Sequence, residues 1–142
     1  MSFWPRPQVY AIPPFSISRL PRIDFGSGRI AELPALVAGF GRQVLLVTGK
    51  QSFCATPRWS SLIQELEARD MGWAHLTVSG EPSPLLVDEA VARFRGQAID
   101  VVVGIGGGSV LDAAKAIADQ RLVQQWSQEA EGDMGEGAVR RE

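Results

Sequence analysis

Residues 104–109 read Gly-Ile-Gly-Gly-Gly-Ser, a set of residue types that can bind an anion through the backbone. Gly106, Gly107 and Gly108 leave their peptide groups bare, because glycine has no Cβ, and they allow a sharp turn. Ser109 is predicted to cap a following helix with its hydroxyl. Free N–H groups in the first turn of a helix, aided by the helix dipole, attract phosphate. The loop therefore predicts a cradle for the pyrophosphate of a nucleotide.

The spacing of this loop approximates the dinucleotide-binding fingerprint without matching it. Ser109 stands where the third glycine of the fingerprint belongs, and no acidic residue ends a following strand at the expected distance. A P-loop is excluded because no Gly-Lys-Ser or Gly-Lys-Thr is present. A plain strand-to-helix turn is the alternative, although three consecutive glycines are more than such a turn needs.

The elements that must position the loop alternate between strand and helix. Apolar runs predict strands at 22–25, 44–48, 73–78 and 99–103, and helical spacing predicts helices at 30–40, 57–71, 85–94 and after Ser109. This order predicts an α/β fold, a Rossmann-like parallel sheet with helices on both faces. We divide the chain into an extended N-terminal arm at 1–20, a dinucleotide-binding α/β domain at 21–120, and a polar tail at 121–142. The tail is expected to finish the last helix and to be disordered from Ser127.

The segment GGGSVLDAAKAIA at 106–118 resembles the nucleotide-loop signature of the iron-containing (group III) metal-dependent alcohol dehydrogenase family, with Asp112 and Lys115 in register. Other segments resemble the N-terminal nucleotide-binding domain of that family: PRIDFGSGRIAELP at 21–34, VLLVTGK at 44–50, and GEPSP at 80–84, where Glu81 replaces an Asn. The resemblance runs from Pro21 to Ala118. A fragment similar to a dehydroquinate synthase or a glycerol-phosphate-type dehydrogenase stays open, as does a non-catalytic nucleotide-binding module.

Open α/β sheets bind ligands beyond the carboxyl ends of their strands. The loops 49–53, 80–84 and 104–109 follow three predicted strands and meet at that edge. The resemblance adds that Asp112 faces the nicotinamide and the substrate cleft. The candidate cofactor-binding residues are Gly49, Lys50, Ser52, Glu81, Pro82, Gly106, Gly107, Gly108, Ser109 and Asp112. No residue is assigned as catalytic or as a metal ligand, because His75 is the single histidine and metal sites need several converging ligands.

The resemblance implies NAD(P) as the cofactor. The family often has an Asp at the position of Gly49, and that Asp binds the adenosine ribose hydroxyl. Without a carboxylate there, nothing repels a 2′-phosphate, and Lys50 and Ser52 lie beside the gap. We therefore favour NADP slightly over NAD.

Charge and cysteine usage limit the partners and the compartment. The net charge of −2 offers no basic field for nucleic acid or an anionic membrane, and no apolar run approaches the roughly 20 residues of a membrane span. Cys54 is the one cysteine, so an internal disulfide is impossible, and a reducing cytoplasm is expected. The resemblance implies a homodimer through the arm at 1–20, and a disordered arm is the alternative.

The resemblance implies hydride transfer between a small alcohol or aldehyde and NAD(P), with iron or zinc polarising the oxygen. In the family, a threonine-rich loop and a helical domain with Asp and His metal ligands follow the nucleotide-binding domain. The sequence after Ala118 shows neither. We therefore expect a truncated or frame-disrupted chain that is inactive alone and at most a weak nucleotide binder.

Overall fold

Apolar strands form the centre of the structure. The computed structural model describes the backbone of residues 24–139 and the side chains of residues 24–124. Strands β1 (Gln43–Gly49), β2 (Gly72–Val78) and β3 (Val101–Ile105) form a parallel sheet in the order β2-β1-β3. In the central strand β1, residues 44–48 are buried, as expected for a parallel strand covered on both faces.

Helices cover both faces of this sheet. Helices α1 (Leu33–Ala38) and α2 (Pro57–Ala68) pack on one face, and α3 (Pro84–Arg93) and α4 (Gly108–Val139) pack on the other. Side chains alternate along a strand, so β1 gives Val44 and Leu46 to the first face and Leu45 and Val47 to the second. The predicted α/β fold with helices on both faces is confirmed.

The register of the strands brings their carboxyl ends together. The pairing of β1 with β2 ends at Gly49 and Val78, and the pairing of β1 with β3 ends at Thr48 and Ile105. From β1 the chain crosses to β2 through α2 on one face, and it returns to β3 through α3 on the other face. The ends of β1 and β3 therefore form the switch point at which open α/β sheets bind ligands.

The first elements differ from the prediction. The helix expected at 30–40 is a 3₁₀ turn at Arg29–Glu32 followed by α1, which ends at Ala38 before Gly39. Of the strand expected at 22–25, Asp24 and Phe25 lie outside any strand, because Gly28 at φ 75° turns the chain soon afterwards. Residues 22 and 23 and the arm at 1–20 lie outside the described residues.

The start of α4 also differs from the prediction. Ser109 is the second residue of the helix and does not cap it. The carbonyl of Gly107 accepts the N–H groups of Val110 and Leu111, each at 3.1 Å, so Gly107 holds the cap position. Glycine closes this turn two residues earlier than a cap at Ser109 would, because it needs no side-chain hydrogen bond.

The far end of α4 continues to Val139, where disorder was expected from Ser127. The residues beyond 121 include Gln and Glu, which favour a helix, together with Gly132, Gly135 and Gly137, which disfavour one. Of the helices within the described residues, none has both the length and the apolar character that crossing a bilayer requires.

Candidate functional site

The glycine loop is open at the carboxyl end of β3. Gly106, Gly107 and Gly108 are exposed, and a Cβ built on Gly107 or Gly108 would meet no heavy atom within 4 Å. The first intrahelical bond of α4 comes from the N–H of Val110, so the N–H groups of Gly108 and Ser109 precede it and stay available. Available donors at the positive end of a helix dipole are suited to a phosphate group.

Gly104 and Gly106 serve the packing of α4 instead. A Cβ on Gly104 would lie 2.8 Å from the Cβ of Ala114, and a Cβ on Gly106 would lie 2.8 Å from Cγ2 of Val110. Both distances are shorter than real side chains tolerate, so these two glycines allow the helix to approach the strand. The loop thus has two kinds of glycine. Gly104 and Gly106 allow α4 to pack closely against β3, and Gly107 and Gly108 leave space for a ligand.

The loop after β1 lies against the start of α4. A Cβ on Gly49 would be 3.9 Å from Oγ of Ser52 and 4.0 Å from Cγ2 of Val110, which is ordinary contact. Position 49 therefore has room for a side chain beside the glycine loop. Lys50 and Ser52 are exposed at the same strand end.

The loop at 80–84 faces α4 across a groove of about 370 Å³, which Pro82 and Asp112 both line. At one side of this groove, Nε2 of Gln120 donates a hydrogen bond to Oδ1 of Asp88 at 2.8 Å. Glu81 is exposed and does not line the groove. The structure thus places Asp112 opposite Pro82 and leaves Glu81 outside.

A polar cluster beneath the end of β1 was not predicted from the sequence. The buried Thr48 places its Oγ1 2.7 Å from Nε2 of His75 and 3.3 Å from Sγ of Cys54. Sγ of Cys54 lies 3.8 Å from Nε2 of His75, and the ring of Trp59 lies 4.6 Å from the imidazole, centroid to centroid. Burial lowers the pKa of His75 below its ordinary 6.5, because desolvation disfavours the charged ring.

This cluster has no local sequence signal, because His75 is 27 residues from Thr48 and 21 residues from Cys54. His75 reaches these two residues only through the parallel pairing of β1 with β2. The thiol of Cys54 is half-buried, and the ring of Trp59 packs against Phe53, Trp73 and His75.

A metal ion does not suit the part of the chain that is described. No group of three or more His, Cys, Asp or Glu side chains within it converges closely enough to hold one. Iron or zinc therefore has no set of ligands on these residues.

Known proteins match this chain over most of its length. It is 34% identical over 99 residues to the probable NADH-dependent butanol dehydrogenase 1 of Bacillus subtilis (strain 168), a match covering 68% of this chain and 25% of the relative. It is 32% identical over 105 residues to the NADH-dependent butanol dehydrogenase B of Clostridium acetobutylicum, covering 73% of this chain and 27% of the relative. The chain thus spans about a quarter of the length of these relatives.

A solved structure and a family model agree with these relatives. The crystal structure of NADH-dependent butanol dehydrogenase A from Thermotoga maritima superposes with a TM-score of 0.64 at 30% identity, covering 74% of this chain and 27% of the other. The family model described as iron-containing alcohol dehydrogenase matches residues 21–138. This match extends past Ala118, which is the last residue of the resemblance described from the sequence. The chain belongs to the iron-containing alcohol dehydrogenase family.

Proposed function

We propose that this chain binds NAD(P) as the cofactor-binding part of an alcohol dehydrogenase, with the pyrophosphate of the cofactor on residues 106–109. The observation that carries the proposal is the open backbone at Gly107 and Gly108, which lies at the N-terminus of α4 and at the switch point of the sheet. The relatives named as NADH-dependent butanol dehydrogenases support a nicotinamide dinucleotide as cofactor and a small alcohol as substrate.

In this proposal, the remaining candidate residues contact different parts of the cofactor. Gly49, Lys50 and Ser52 contact the adenosine ribose, because they follow β1 beside the glycine loop. Pro82 and Asp112 line the groove on the side of the nicotinamide, and the exposed Glu81 contacts the cofactor from the same loop, outside the groove. The bound nicotinamide supplies the hydride acceptor or donor. The residues of this chain hold and orient it.

Two further points belong to the same proposal. The cytoplasm is the compartment we favour, because the free Cys54 suits a reducing environment. A homodimer contact is assigned to the N-terminal arm, which carries apolar residues such as Trp4 and Tyr10 among its prolines.

Calorimetric titration of NADP and NAD into the chain tests the cradle. Gly107→Val fills the open space in front of the loop and is expected to weaken both cofactors about tenfold or more, a loss of roughly 1.4 kcal/mol. Gly96→Val is the matched control, since a Cβ at Gly96 also meets nothing within 4 Å and Gly96 lies outside the three loops. Equal affinities in Gly107→Val and wild type, or no binding at millimolar cofactor, would overturn the proposal.

The preference for NADP rests on Gly49. Gly49→Asp is expected to weaken NADP about tenfold or more through repulsion of the 2′-phosphate, without weakening NAD. Gly49→Asn is the matched control, because it has nearly the same size and no charge, and position 49 has room for either side chain. The preference is refuted if wild type binds NAD more tightly than NADP, or if Asp and Asn act alike on both cofactors.

A further inference from the structure

Thr48 is the one buried polar residue in the described part of the chain. It has no exposed surface, and it follows a run of buried apolar residues at 44–47 in β1. Valine has nearly the same shape as threonine, so apolar packing alone does not require a hydroxyl at this position. A buried hydroxyl costs free energy unless it forms hydrogen bonds. The partners of this hydroxyl therefore indicate its role.

Three groups surround Oγ1 of Thr48. The carbonyl oxygen of Gly49 lies at 2.9 Å, Nε2 of His75 at 2.7 Å and Sγ of Cys54 at 3.3 Å. A hydroxyl has one proton to donate and two lone pairs that accept. A carbonyl oxygen can only accept, so the proton of Thr48 goes to Gly49. The two lone pairs then accept the Nε2–H of His75 and the S–H of Cys54, which is the one arrangement that satisfies all three contacts.

The bond to Gly49 sets the direction of the peptide group that begins the loop 49–53. The carbonyl of Gly49 and the N–H of Lys50 belong to one planar trans peptide group, so they have opposite directions. Because the carbonyl is held towards Oγ1 of Thr48, the N–H of Lys50 faces away from the buried hydroxyl. The hydroxyl of Thr48 thus presents a backbone donor on the outer side of the loop.

The same hydroxyl joins the two ends of this loop. Cys54 is the first residue after the loop, six residues from Thr48, and its Sγ contacts the oxygen that holds Gly49. His75 lies on β2, where it pairs with Leu46, so the junction is also fixed to the sheet. Closing a loop costs conformational entropy. A loop that is held closed before a ligand arrives binds that ligand more tightly.

We propose that Thr48 is a positioning residue for the cofactor, whose hydroxyl fixes the loop 49–53 in the conformation that contacts the adenosine ribose. This inference rests on the proposed function, which assigns Gly49, Lys50 and Ser52 to that ribose. The ligand group concerned is a ribose hydroxyl or a 2′-phosphate, since the oxygens of both accept hydrogen bonds from a backbone N–H. None of the hydrogen bonds of Thr48 reaches the pyrophosphate site at 106–109.

Two substitutions separate the hydroxyl from the rest of the side chain. Thr48→Val keeps the shape and removes the hydroxyl, and Thr48→Ser keeps the hydroxyl and removes the methyl group. In calorimetric titrations, Thr48→Val is expected to bind NADP about fivefold more weakly or worse, and Thr48→Ser within about twofold of wild type. If the hydroxyl served stability alone, the three folded proteins would bind NADP equally.

Leu46→Val is the matched control for lost stability. Leu46 is buried two residues before Thr48 on the same side of β1, and its side chain forms no hydrogen bond. Urea denaturation is expected to show a lower stability for this variant, while its affinity for NADP stays within about twofold of wild type. Equal affinities in wild type and Thr48→Val, or an equal loss in Leu46→Val, overturn this inference alone. No binding of NADP or NAD to wild type overturns the proposed function, and this inference with it.

The tautomer of His75 tests the inference on wild type without a cofactor, and it decides the case where Thr48→Val does not fold. Burial lowers the pKa of the ring below its ordinary 6.5, so at about pH 7.5 the ring is neutral and carries one proton. The arrangement above puts this proton on Nε2. His75 is the single histidine, so the nitrogen NMR shifts of labelled histidine report on this ring alone. A proton on Nδ1 would make Thr48 donate to His75 instead of Gly49, and overturns the inference.

Discussion

His75 is the single histidine of the chain, and it is half-buried against Thr48 and Trp59. Burial lowers its pKa in the folded state below 6.5. Between 6.5 and this lowered pKa, the unfolded chain binds a proton that the folded chain does not bind. The free energy of unfolding is therefore highest above pH 6.5 and falls as the pH drops from 6.5 towards the folded pKa.

The substitution His75→Gln is expected to reduce this loss of stability on acidification. Glutamine can keep a polar nitrogen near the position of Nε2, 2.7 Å from Thr48 Oγ1, but it does not titrate. Urea unfolding at about pH 7.5, 6.5 and 5.5 measures the dependence for both proteins. The two proteins differ in ionisable groups only at position 75, so the difference in slope isolates the imidazole. Parallel pH dependences would show that His75 has the same pKa in the folded and unfolded states.

The contact between β3 and α4 depends on one missing methyl group. Gly104→Ala would place a Cβ 2.8 Å from the Cβ of Ala114, and neither atom belongs to a flexible side chain that could move aside. We expect a loss of about 1–3 kcal/mol in the free energy of unfolding, measured by urea denaturation. Gly96→Ala, where a Cβ meets nothing within 4 Å, is the control and is expected to stay within about 0.5 kcal/mol of wild type.

A second substitution separates overpacking from the general effect of a changed glycine. Ala114→Gly removes the methyl group that Gly104→Ala would meet. In the double variant, the two substitutions are expected to cost less together than the sum of their separate costs, because the clash is relieved. Strictly additive costs, or a Gly104→Ala protein as stable as Gly96→Ala, would mean that the helix shifts to accept the methyl group.

The sequence predicted the presence and type of the helices and strands more accurately than their first and last residues. The apolar run at 44–48 predicts a strand, and β1 extends one residue beyond it at each end. Residues 29–38 are split between a 3₁₀ turn and α1, and apolar spacing of three and four residues suits both kinds of helix. Helix α4 runs to Val139 through residues where disorder is expected from Ser127, and Gly132, Gly135 and Gly137 mean that helix propensity does not account for it.

The candidate site was predictable as far as it depends on topology. Alternating strands and helices imply that the loops after the strands meet at one edge, and the structure puts Gly49 next to Val110 and Pro82 opposite Asp112. The different roles of the glycines could not be read from the sequence, because only the approach of α4 distinguishes Gly104 from Gly107. Whether these residues bind a cofactor stays a prediction for the titrations.

The whole molecule combines a candidate cofactor surface with a lack of metal ligands in its described part. The open glycine loop lies at the switch point of the sheet, but no set of three acidic, histidine or cysteine side chains within residues 24–124 converges. A metal that polarised the alcohol oxygen would have to be held by ligands other than the described residues of this chain. Binding of the cofactor and turnover of the alcohol are therefore expected to separate in this chain.

We expect no butanol-dependent reduction of NAD or NADP by the 142-residue chain, with or without added Fe²⁺ or Zn²⁺, at cofactor concentrations where calorimetry shows binding. Absorbance of the reduced nicotinamide gives the rate, and a full-length member of the family confirms the assay conditions. Gly107→Val, prepared in the same way, controls for dehydrogenases of the expression host, because their activity does not depend on this glycine loop. Turnover that needs added metal and is lost in Gly107→Val would show that this chain assembles a metal site of its own. Turnover that is equal in both preparations comes from the host and leaves the separation of binding from catalysis intact.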